Sequence, residues 1–202
     1  MKKLLLATHN QAKLKYFRIL LGDLDLELLN LDSFNISESP IEDGGSEKNN
    51  ALIKARFCAN RSNCLSLGDD AGMYIDALGG EPGVESRRWA GTFSDDVTDE
   101  LWLEYFMMRM KDVPNAKRTG YFQVCRALVN VDGREWTWSI KRNFTVAMEP
   151  NWDLYEKGWP MSTVCIDSQF NKPWSRLDIN EKIIAERCVT MEMEKIINEI
   201  YK

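Results

Sequence analysis

The sequence predicts an α/β fold built on a mixed sheet. Strand-like and helix-like patterns alternate through the first 70 residues, and two long strand-like runs flank Asp132-Gly133 in the middle of the chain. Alternation of strands and helices is typical of parallel sheets, whereas a short Asp-Gly turn joins antiparallel neighbours. We therefore expect parallel and antiparallel pairs in one sheet, within a single domain that covers residues 1–202.

The first half of the chain supplies the parallel pairs. Apolar runs and helical spacing predict the elements in alternation: strands over residues 4–7, 26–29 and 65–68, and helices over residues 11–21 and 49–60. The polar segment 32–48 is expected to be a loop. The third strand would end directly before Asp69 and Asp70 and so deliver both carboxylates to the edge of the sheet.

The second half supplies the antiparallel part. A helix over residues 98–110, capped by Thr98, is expected to bury Leu101, Tyr105 and Met108. Further elements follow in order: strands over 121–131 and 135–148 joined by a type I′ turn, a strand over 164–166, and helices over 178–185 and 190–200. Asp178 and Glu181 have the spacing of a capping box.

Composition excludes several classes of protein. The net charge of −5 argues against a nucleic-acid polymer as partner, since such binding needs a basic stripe. No run approaches the roughly 20 apolar residues of a membrane span. Five cysteines without a Cys-x-x-Cys pair indicate a reducing, cytoplasmic compartment. The single histidine, His9, excludes a zinc site built from several histidines.

The segment over residues 65–91 carries the chemistry. It places Asp69 and Asp70 after an apolar run, then a Gly79-Gly80-Glu81-Pro82-Gly83 turn, and then Arg87 and Arg88. Carboxylates are good ligands for hard metal cations, and arginines suit phosphate oxygens. The pattern indicates a phosphate-bearing substrate that is bound together with a divalent ion.

This segment resembles the signature of the inosine-triphosphate pyrophosphatase family, with Ala71, Met73 and Arg87 where the family has serine, leucine and alanine. The resemblance implies two α/β lobes that share a twisted mixed sheet, with flanking helices and a central cleft. It also implies a homodimer and Mg²⁺-dependent hydrolysis of deaminated or modified purine nucleoside triphosphates. The products would be a nucleoside monophosphate and pyrophosphate, which makes the enzyme a house-cleaner of the nucleotide pool.

The resemblance assigns phosphate-binding residues near the start of the chain. Thr8, Asn10 and Lys13 match the family's Thr-x-Asn-x-x-Lys motif, at a point where a strand is expected to lead into a helix. Asn50 and Lys54 match a second motif, although Lys54 could also face solvent. The backbone N–H of Ala71 completes the implied phosphate contacts. Arg87 departs from the family's alanine and is expected at phosphate because arginines suit phosphate oxygens.

The resemblance also assigns the acid groups. Asp70 is implied as the catalytic base that takes a proton from water, and as a metal ligand. Glu42 and Asp69 are the other implied metal ligands, although Glu42 could instead be a solvated loop residue. Asn49 stands where the family has a glutamate, so one carboxylate of the family pattern is missing.

The resemblance thins in the last third of the chain, where the family reads the base. Trp159 could stack on a base, but Ser162 replaces an aspartate and Glu186 replaces the histidine of a Ser-His-Arg motif, beside a matching Arg187. Lys182 stands for a family lysine if the register shifts by one residue. As a hydrogen-bond acceptor, Glu186 would favour a base that presents an amino group.

Three functions therefore remain open. The first is the pyrophosphatase with the family's own substrates, and the second is a pyrophosphatase for a different modified nucleotide. The third is a nucleotide-binding or interaction protein that has lost turnover, which the departures at Asn49, Ser162 and Glu186 suggest. The last third could also have drifted and pack differently.

Overall fold

The strands of the computed structural model share one mixed sheet. The structure describes residues 2–22, 24–94 and 96–202. Its strands are β1 (Lys2–Leu6), β2 (Leu26–Leu29), β3 (Ser66–Ile75), β4 (Pro82–Gly83), β5 (Thr119–Val129), β6 (Glu135–Val146), β7 (Cys165–Asp167) and β8 (Lys172–Pro173). Their order is β2-β1-β3-β5-β6-β7-β8, with β4 paired to β3.

Parallel and antiparallel pairs occur in this sheet as predicted. β1 runs parallel to β2 and to β3. β4 is antiparallel to β3, and β7 is antiparallel to both β6 and β8. The fold class of an α/β protein with a mixed sheet is therefore confirmed.

Four α-helices accompany these strands in the described residues: α1 (Gln11–Leu20), α2 (Glu47–Ser62), α3 (Asp99–Met110) and α4 (Ile179–Ile200). α2 begins two residues before the predicted start because Ser46 caps it, accepting a hydrogen bond from the Asn49 amide at 3.3 Å. Thr98 caps α3 in the same way, through the Leu101 amide at 3.2 Å, as predicted.

The chain folds as two compact units, which share the long elements β3, β5, β6 and α4. The first unit contains Met1–Asp70, Val124–Ile140 and Lys182–Lys202, and the second contains Ala71–Gln123 and Lys141–Glu181. The expectation of a single domain over residues 1–202 stays a prediction, as does the central cleft.

The core of the first unit is built on β1. Leu4 and Leu6 are buried against Phe17 of α1 and against Met193 and Ile197 of α4. A second cluster brings α2 against β5 through small side chains: Ala51, Ala55 and Ala59 meet Cys125, Ala127 and Val129. Small residues let a helix approach a sheet closely, so α2 lies near the backbone of the sheet.

Gly68 in β3 makes the approach of α2 closer still. A Cβ atom at this position would lie 2.0 Å from the carbonyl oxygen of Ala51, which is a severe overlap. The absence of a side chain is therefore required there. The contact sets α2 beside the part of β3 that carries Asp69 and Asp70.

Aromatic residues dominate the core of the second unit. Trp89, Trp102 and Phe106 are almost fully buried, and their rings contact one another. The prediction for α3 was right for Tyr105, which packs on this core, and wrong for Leu101 and Met108, which are exposed. Trp102, Leu103, Phe106 and Met110 are buried instead. Apolar residues occur on both sides of this helix, so periodicity alone chose the wrong face.

One strand, the C-terminal helices and one turn also differ from prediction. β3 does not end before Asp69 but continues to Ile75, so the two aspartates lie inside a strand. The two predicted C-terminal helices form the single helix α4, which opens with the predicted capping box: Asp178 and Glu181 each accept a hydrogen bond from the other's amide. The β5–β6 connection is also not a type I′ turn.

In that connection, the Gly133 amide donates to the Asn130 carbonyl at 3.0 Å, and φ is positive at Gly133 but not at Asp132. A type I′ turn needs positive φ at both central residues, whereas a type I turn followed by a left-handed glycine needs it only at the glycine. The hairpin therefore has the longer loop.

No helix in the described ranges combines the length and the apolar character that a membrane crossing requires. The five cysteines are all free thiols, four of them buried and Cys188 exposed.

Candidate functional site

The first unit gathers the predicted phosphate and metal residues around the middle of β3. Lys13 comes from the start of α1, Asn50 and Lys54 come from α2, and Glu42 comes from the loop before α2. Asp69 and Asp70 come from β3 itself. Successive residues of a strand point to opposite faces, and the two aspartates accordingly have different partners.

Asp69 is paired with Lys13. The Lys13 Nζ lies 2.7 Å from Asp69 Oδ2 and 3.3 Å from the carbonyl oxygen of the same residue. Lys13 sits one turn into α1, whose start is ordered by Asn10, since Asn10 Oδ1 accepts from the Lys13 amide at 3.2 Å. Thr8 Oγ1 accepts in turn from the Asn10 amide at 3.1 Å. The predicted phosphate motif is thus one connected turn.

Asp70 is paired with Lys54. The Lys54 Nζ lies 2.6 Å from Asp70 Oδ1 and 2.7 Å from Glu42 Oε2, so one ammonium joins two carboxylates. Burial by itself would lower the pKa of Lys54, but the attraction of Asp70 and Glu42 outweighs it and raises that pKa. Lys54 therefore stays charged.

The amide of Asn50 supports the same group. Asn50 Nδ2 lies 3.4 Å from Asp70 Oδ2, and Asn50 Oδ1 accepts from the Gly44 amide at 3.0 Å. The residue that replaces the family glutamate, Asn49, donates its side-chain amide to the Gly44 carbonyl at 2.8 Å. Both asparagines therefore hold the loop that carries Glu42, and Asn49 serves the loop as a neutral donor.

Sequence reasoning missed Arg126, which belongs to this site. Its side chain is 2% exposed, Nε lies 3.5 Å from Asp69 Oδ1, and Nη2 forms an ion pair with Glu186. Burial would raise the pKa of Asp69, but Lys13 and Arg126 together hold it below its usual range. An arginine inside the apolar run Val124-Cys125-Arg126-Ala127-Leu128 was the available signal, because buried charges need partners.

A cavity of about 250 Å³ opens beside these residues in the first unit. Its polar wall includes Thr8, Asn10, Lys13, Glu42, Lys54 and Asp69, and its apolar wall includes Leu31, Phe57 and Cys58. Two ammonium groups and the start of a helix at one cavity can bind an anion such as phosphate. His9 also lines it.

Two carboxylates of the site can hold a cation. Within the described ranges, no three Asp, Glu, His or Cys side chains lie close enough together to form a metal site by themselves. Glu42 and Asp70 nevertheless converge on the Lys54 ammonium, so hard oxygen donors already surround a positive charge. This donor set fits a divalent cation that takes its remaining ligands from water and phosphate. Asp69 is instead held by Lys13 and Arg126.

The second unit contains three other predicted site residues. Arg87, expected at phosphate, donates to Asp99 Oδ1 at 2.5 Å and to the Val97 carbonyl. Asp99 also accepts from Tyr155 Oη at 2.8 Å and from the Gly158 amide at 2.6 Å. Ala71 and Trp159 are both partly buried, and Trp159 packs on the aromatic core of this unit.

Asp99 therefore anchors the turn that precedes Trp159. Burial would raise the pKa of Asp99, but its hydrogen bonds with Arg87, Tyr155 and Gly158 lower it. Ser162, which replaces the family aspartate, is fully buried, and its Oγ accepts from the Glu156 amide at 2.8 Å. Ser162 thus closes the same turn from inside.

The residues of α4 differ in accessibility. Arg187 is exposed and Lys182 is partly buried, whereas Glu186 is only 5% exposed. The Glu186 carboxylate, expected to accept a hydrogen bond from a base, is instead engaged by Arg126.

The family model described as the Ham1 family matches residues 4–145. A dITP/XTP pyrophosphatase of Leifsonia xyli is 38% identical over 135 residues, which are 66% of this chain and 64% of that protein. A dITP/XTP pyrophosphatase of Corynebacterium efficiens is 36% identical over 151 residues, 73% and 72% of the two chains. The chain thus spans less than two thirds of the first of these relatives.

Solved structures match over nearly the whole chain. A HAM1 protein of Coxiella burnetii has a TM-score of 0.78 and 25% identity, and the match covers 98% of this chain and 100% of that one. A nucleoside-triphosphatase, dITP/XTP pyrophosphatase, of Mycobacterium abscessus has a TM-score of 0.68 and 27% identity, with 95% and 97% covered. The resemblance to the inosine-triphosphate pyrophosphatase family is confirmed, and the chain belongs to the Ham1 family.

Proposed function

We propose that this protein is a nucleoside-triphosphate pyrophosphohydrolase. It converts a deaminated or otherwise modified purine nucleoside triphosphate into the monophosphate and pyrophosphate, and so clears such nucleotides from the pool. One observation carries the proposal: Lys13 and Lys54 line one cavity of the first unit, and each is paired with an aspartate of β3. The names of the relatives from Leifsonia xyli and Mycobacterium abscessus support it.

The residues of the first unit would divide the work. Lys13, with Thr8 and Asn10 at the start of α1, binds phosphate oxygens, and Lys54 turns from Asp70 toward the same phosphates. A water oxygen then forms a bond to a phosphorus of the α–β anhydride while the bond from that phosphorus to the bridging oxygen breaks. Asp70 accepts the proton that the water loses.

Mg²⁺ is the cation that this donor set suits best. Glu42 and Asp70 would hold it together with phosphate oxygens, since Mg²⁺ in nucleotide sites is commonly bound by one or two carboxylates and the substrate phosphates. When bound, Mg²⁺ neutralises the charge that develops on the bridging oxygens. Asp69 does not hold the cation in this proposal but orients Lys13 by pairing with it. The side-chain amide of Asn50 keeps Asp70 in place.

We assign recognition of the base to the part of the chain that lies outside the family match. The family match ends at residue 145, before Trp159, Lys182 and Arg187. We assign Trp159 to stacking on the base, and Lys182 and Arg187 to polar contacts with the nucleotide. Arg87 and the Ala71 amide are further candidates for phosphate contacts.

We also expect a homodimer in the cytoplasm. The family resemblance is the ground for the dimer, and light scattering on the purified protein measures it. The free thiols suit a reducing compartment.

A panel of nucleotides tests the activity. Inosine, xanthosine, adenosine and guanosine triphosphates, with their deoxy forms, are incubated with the protein and Mg²⁺, and pyrophosphate and orthophosphate are measured separately. We expect pyrophosphate and monophosphate in equal amounts, and loss of both when EDTA removes the cation. Release of orthophosphate would indicate a phosphatase instead.

The same panel separates the two alternatives. Turnover of a nucleotide outside the inosine and xanthosine pairs would identify a pyrophosphatase with another substrate. Tight binding of every triphosphate, without any product, would identify a binding protein that has lost turnover.

A further inference from the structure

Arg126 and Glu186 form a buried ion pair to which the proposed mechanism gives no task. Arg126 is 1% exposed and Glu186 is 5% exposed, in β5 and α4 of the first unit. Taking two charges out of water is costly, and a buried pair is weak evidence of added stability. The presence of this buried pair therefore needs an explanation other than added stability.

The hydrogen bonding of Arg126 points the same way. Nη2 meets Glu186, but Nε and Nη1 are buried and have no hydrogen-bond partner among the residues that the structure describes. Nε faces Asp69 Oδ1 at 3.5 Å, beyond a good hydrogen bond. The guanidinium therefore acts on Asp69 through its charge, and its donors are not arranged for the greatest stability.

Asp69 is held from two sides as a result. Oδ2 lies 2.7 Å from Lys13 Nζ, and Oδ1 faces Arg126. Asp69 thus holds the Lys13 ammonium with one oxygen while Arg126 faces the other, and this arrangement fixes where the ammonium stands at the cavity. The Phe17 ring, whose centroid is 5.0 Å from Arg126 Cζ, supports the guanidinium from α1.

Glu186 keeps Arg126 at this distance from Asp69. Without the Glu186 carboxylate, the guanidinium would move to Asp69 and compete with Lys13 for both oxygens. We propose that Arg126 and Glu186 are positioning residues that set the Asp69–Lys13 pair for phosphate binding, and that Glu186 acts through Arg126 and not on the base. This inference rests on the proposed function, in which Lys13 meets phosphate.

Inorganic tripolyphosphate tests the inference, because it has phosphates but no base. Its Kd is measured by calorimetry for the wild type, for Glu186→Gln and for the paired replacement Arg126→Met with Glu186→Leu. The paired replacement guards against misfolding, since apolar substitution of a buried ion pair is often tolerated. Circular dichroism and thermal unfolding confirm that each variant is folded.

We expect Kd to rise about tenfold in both variants, as for other supporting residues behind a binding group. The direction of the Kd change in Glu186→Gln is informative, because loss of a negative charge would by itself tighten anion binding and lower Kd. The matched control is Arg142→Met with Asp167→Asn, which removes a partly buried ion pair of the second unit. Its Kd for tripolyphosphate should stay within about twofold of the wild type.

The values of kcat/KM for the four purine nucleoside triphosphates complete the test. If Glu186 is a positioning residue, Glu186→Gln lowers kcat/KM for all four triphosphates by the same factor. An unchanged Kd for tripolyphosphate in folded variants would overturn the inference, and so would a change in the ratios among bases at constant Kd. A wild type that binds tripolyphosphate but releases no pyrophosphate from any nucleotide refutes the proposed activity alone, since the Kd comparison still decides the positioning.

Discussion

The Lys54 ammonium lies 2.6 Å from Asp70 Oδ1, and this contact constrains the proposed chemistry. While this contact lasts, the Lys54 ammonium occupies the Asp70 oxygen that would otherwise meet a water molecule. Lys54 must therefore exchange Asp70 for phosphate oxygens before Asp70 can act as the base. Glu42 shares the ammonium at 2.7 Å and would be released by the same movement.

Replacement of the catalytic base should remove turnover, whereas binding of the nucleotide measured without Mg²⁺ should persist. In Asp70→Asn, the amide cannot take a proton from water, so kcat should fall about 10²–10⁴-fold. The matched control is Asp76→Asn in the second unit, where Asp76 accepts a hydrogen bond from Thr119. Pyrophosphate release and calorimetric Kd are measured for both, and near wild-type kcat in folded Asp70→Asn would exclude Asp70 from the role.

Lys13→Ala should weaken the binding of triphosphates far more than the binding of monophosphates, because Lys13 is assigned to phosphate and not to the base. Loss of one charge-assisted contact corresponds to about 1.5–3 kcal/mol, or roughly 10- to 150-fold in Kd. Lys15→Ala, an exposed lysine two residues further along α1, is the control and should change little. Equal weakening of the triphosphate and the monophosphate would assign Lys13 to another part of the nucleotide.

Gly68→Ala should destabilise the fold, because the new Cβ would lie 2.0 Å from the Ala51 carbonyl. Overpacking usually costs about 1–3 kcal/mol in the free energy of unfolding, and an overlap this severe with rigid backbone should exceed that range. Gly45→Ala is the control, since its backbone is left-handed with no atom within 4 Å, and strain alone costs about 1–2 kcal/mol. Urea unfolding compares them, and a Gly68→Ala protein as stable as the control would contradict the close contact.

The Asp99 network should make stability depend on acid pH. The folded pKa of Asp99 is lowered, so its contribution is present above the unfolded pKa of about 3.9 and is lost as the pH falls through the folded value. The difference in unfolding free energy between wild type and Asp99→Asn should be about 1–3 kcal/mol at pH 7 and shrink below pH 4. Asp112→Asn, at an exposed aspartate, should show a small difference throughout. A gap that does not narrow in acid would refute the linkage.

The sequence predicted well which residues lie together around the middle of β3, for a physical reason. Lys13 follows a strand–helix junction, and Asp69 and Asp70 lie on the adjoining strand, so short motifs already specify their neighbourhood. Lys54 was also found, although whether it faced solvent stayed open until the structure placed it between Glu42 and Asp70.

Arg126 and Glu186 could not be paired from the sequence, because they are 60 residues apart and only tertiary packing brings them together. The prediction of the buried face of α3 failed for a different reason. Leu101 and Trp102 are neighbours of similar apolar character, and the aromatic cluster in the second unit decides which of them is covered.

The two consecutive asparagines of α2 have one more consequence. Asn49 donates to the Gly44 carbonyl, and Asn50 accepts from the Gly44 amide, so neutral amides staple the acidic loop to the first turn of the helix. The loop is therefore ordered when the chain folds, and in the proposed function a divalent ion would meet a preorganised backbone. Less conformational entropy would then be lost on binding, which would offset part of the attraction forgone with the missing glutamate.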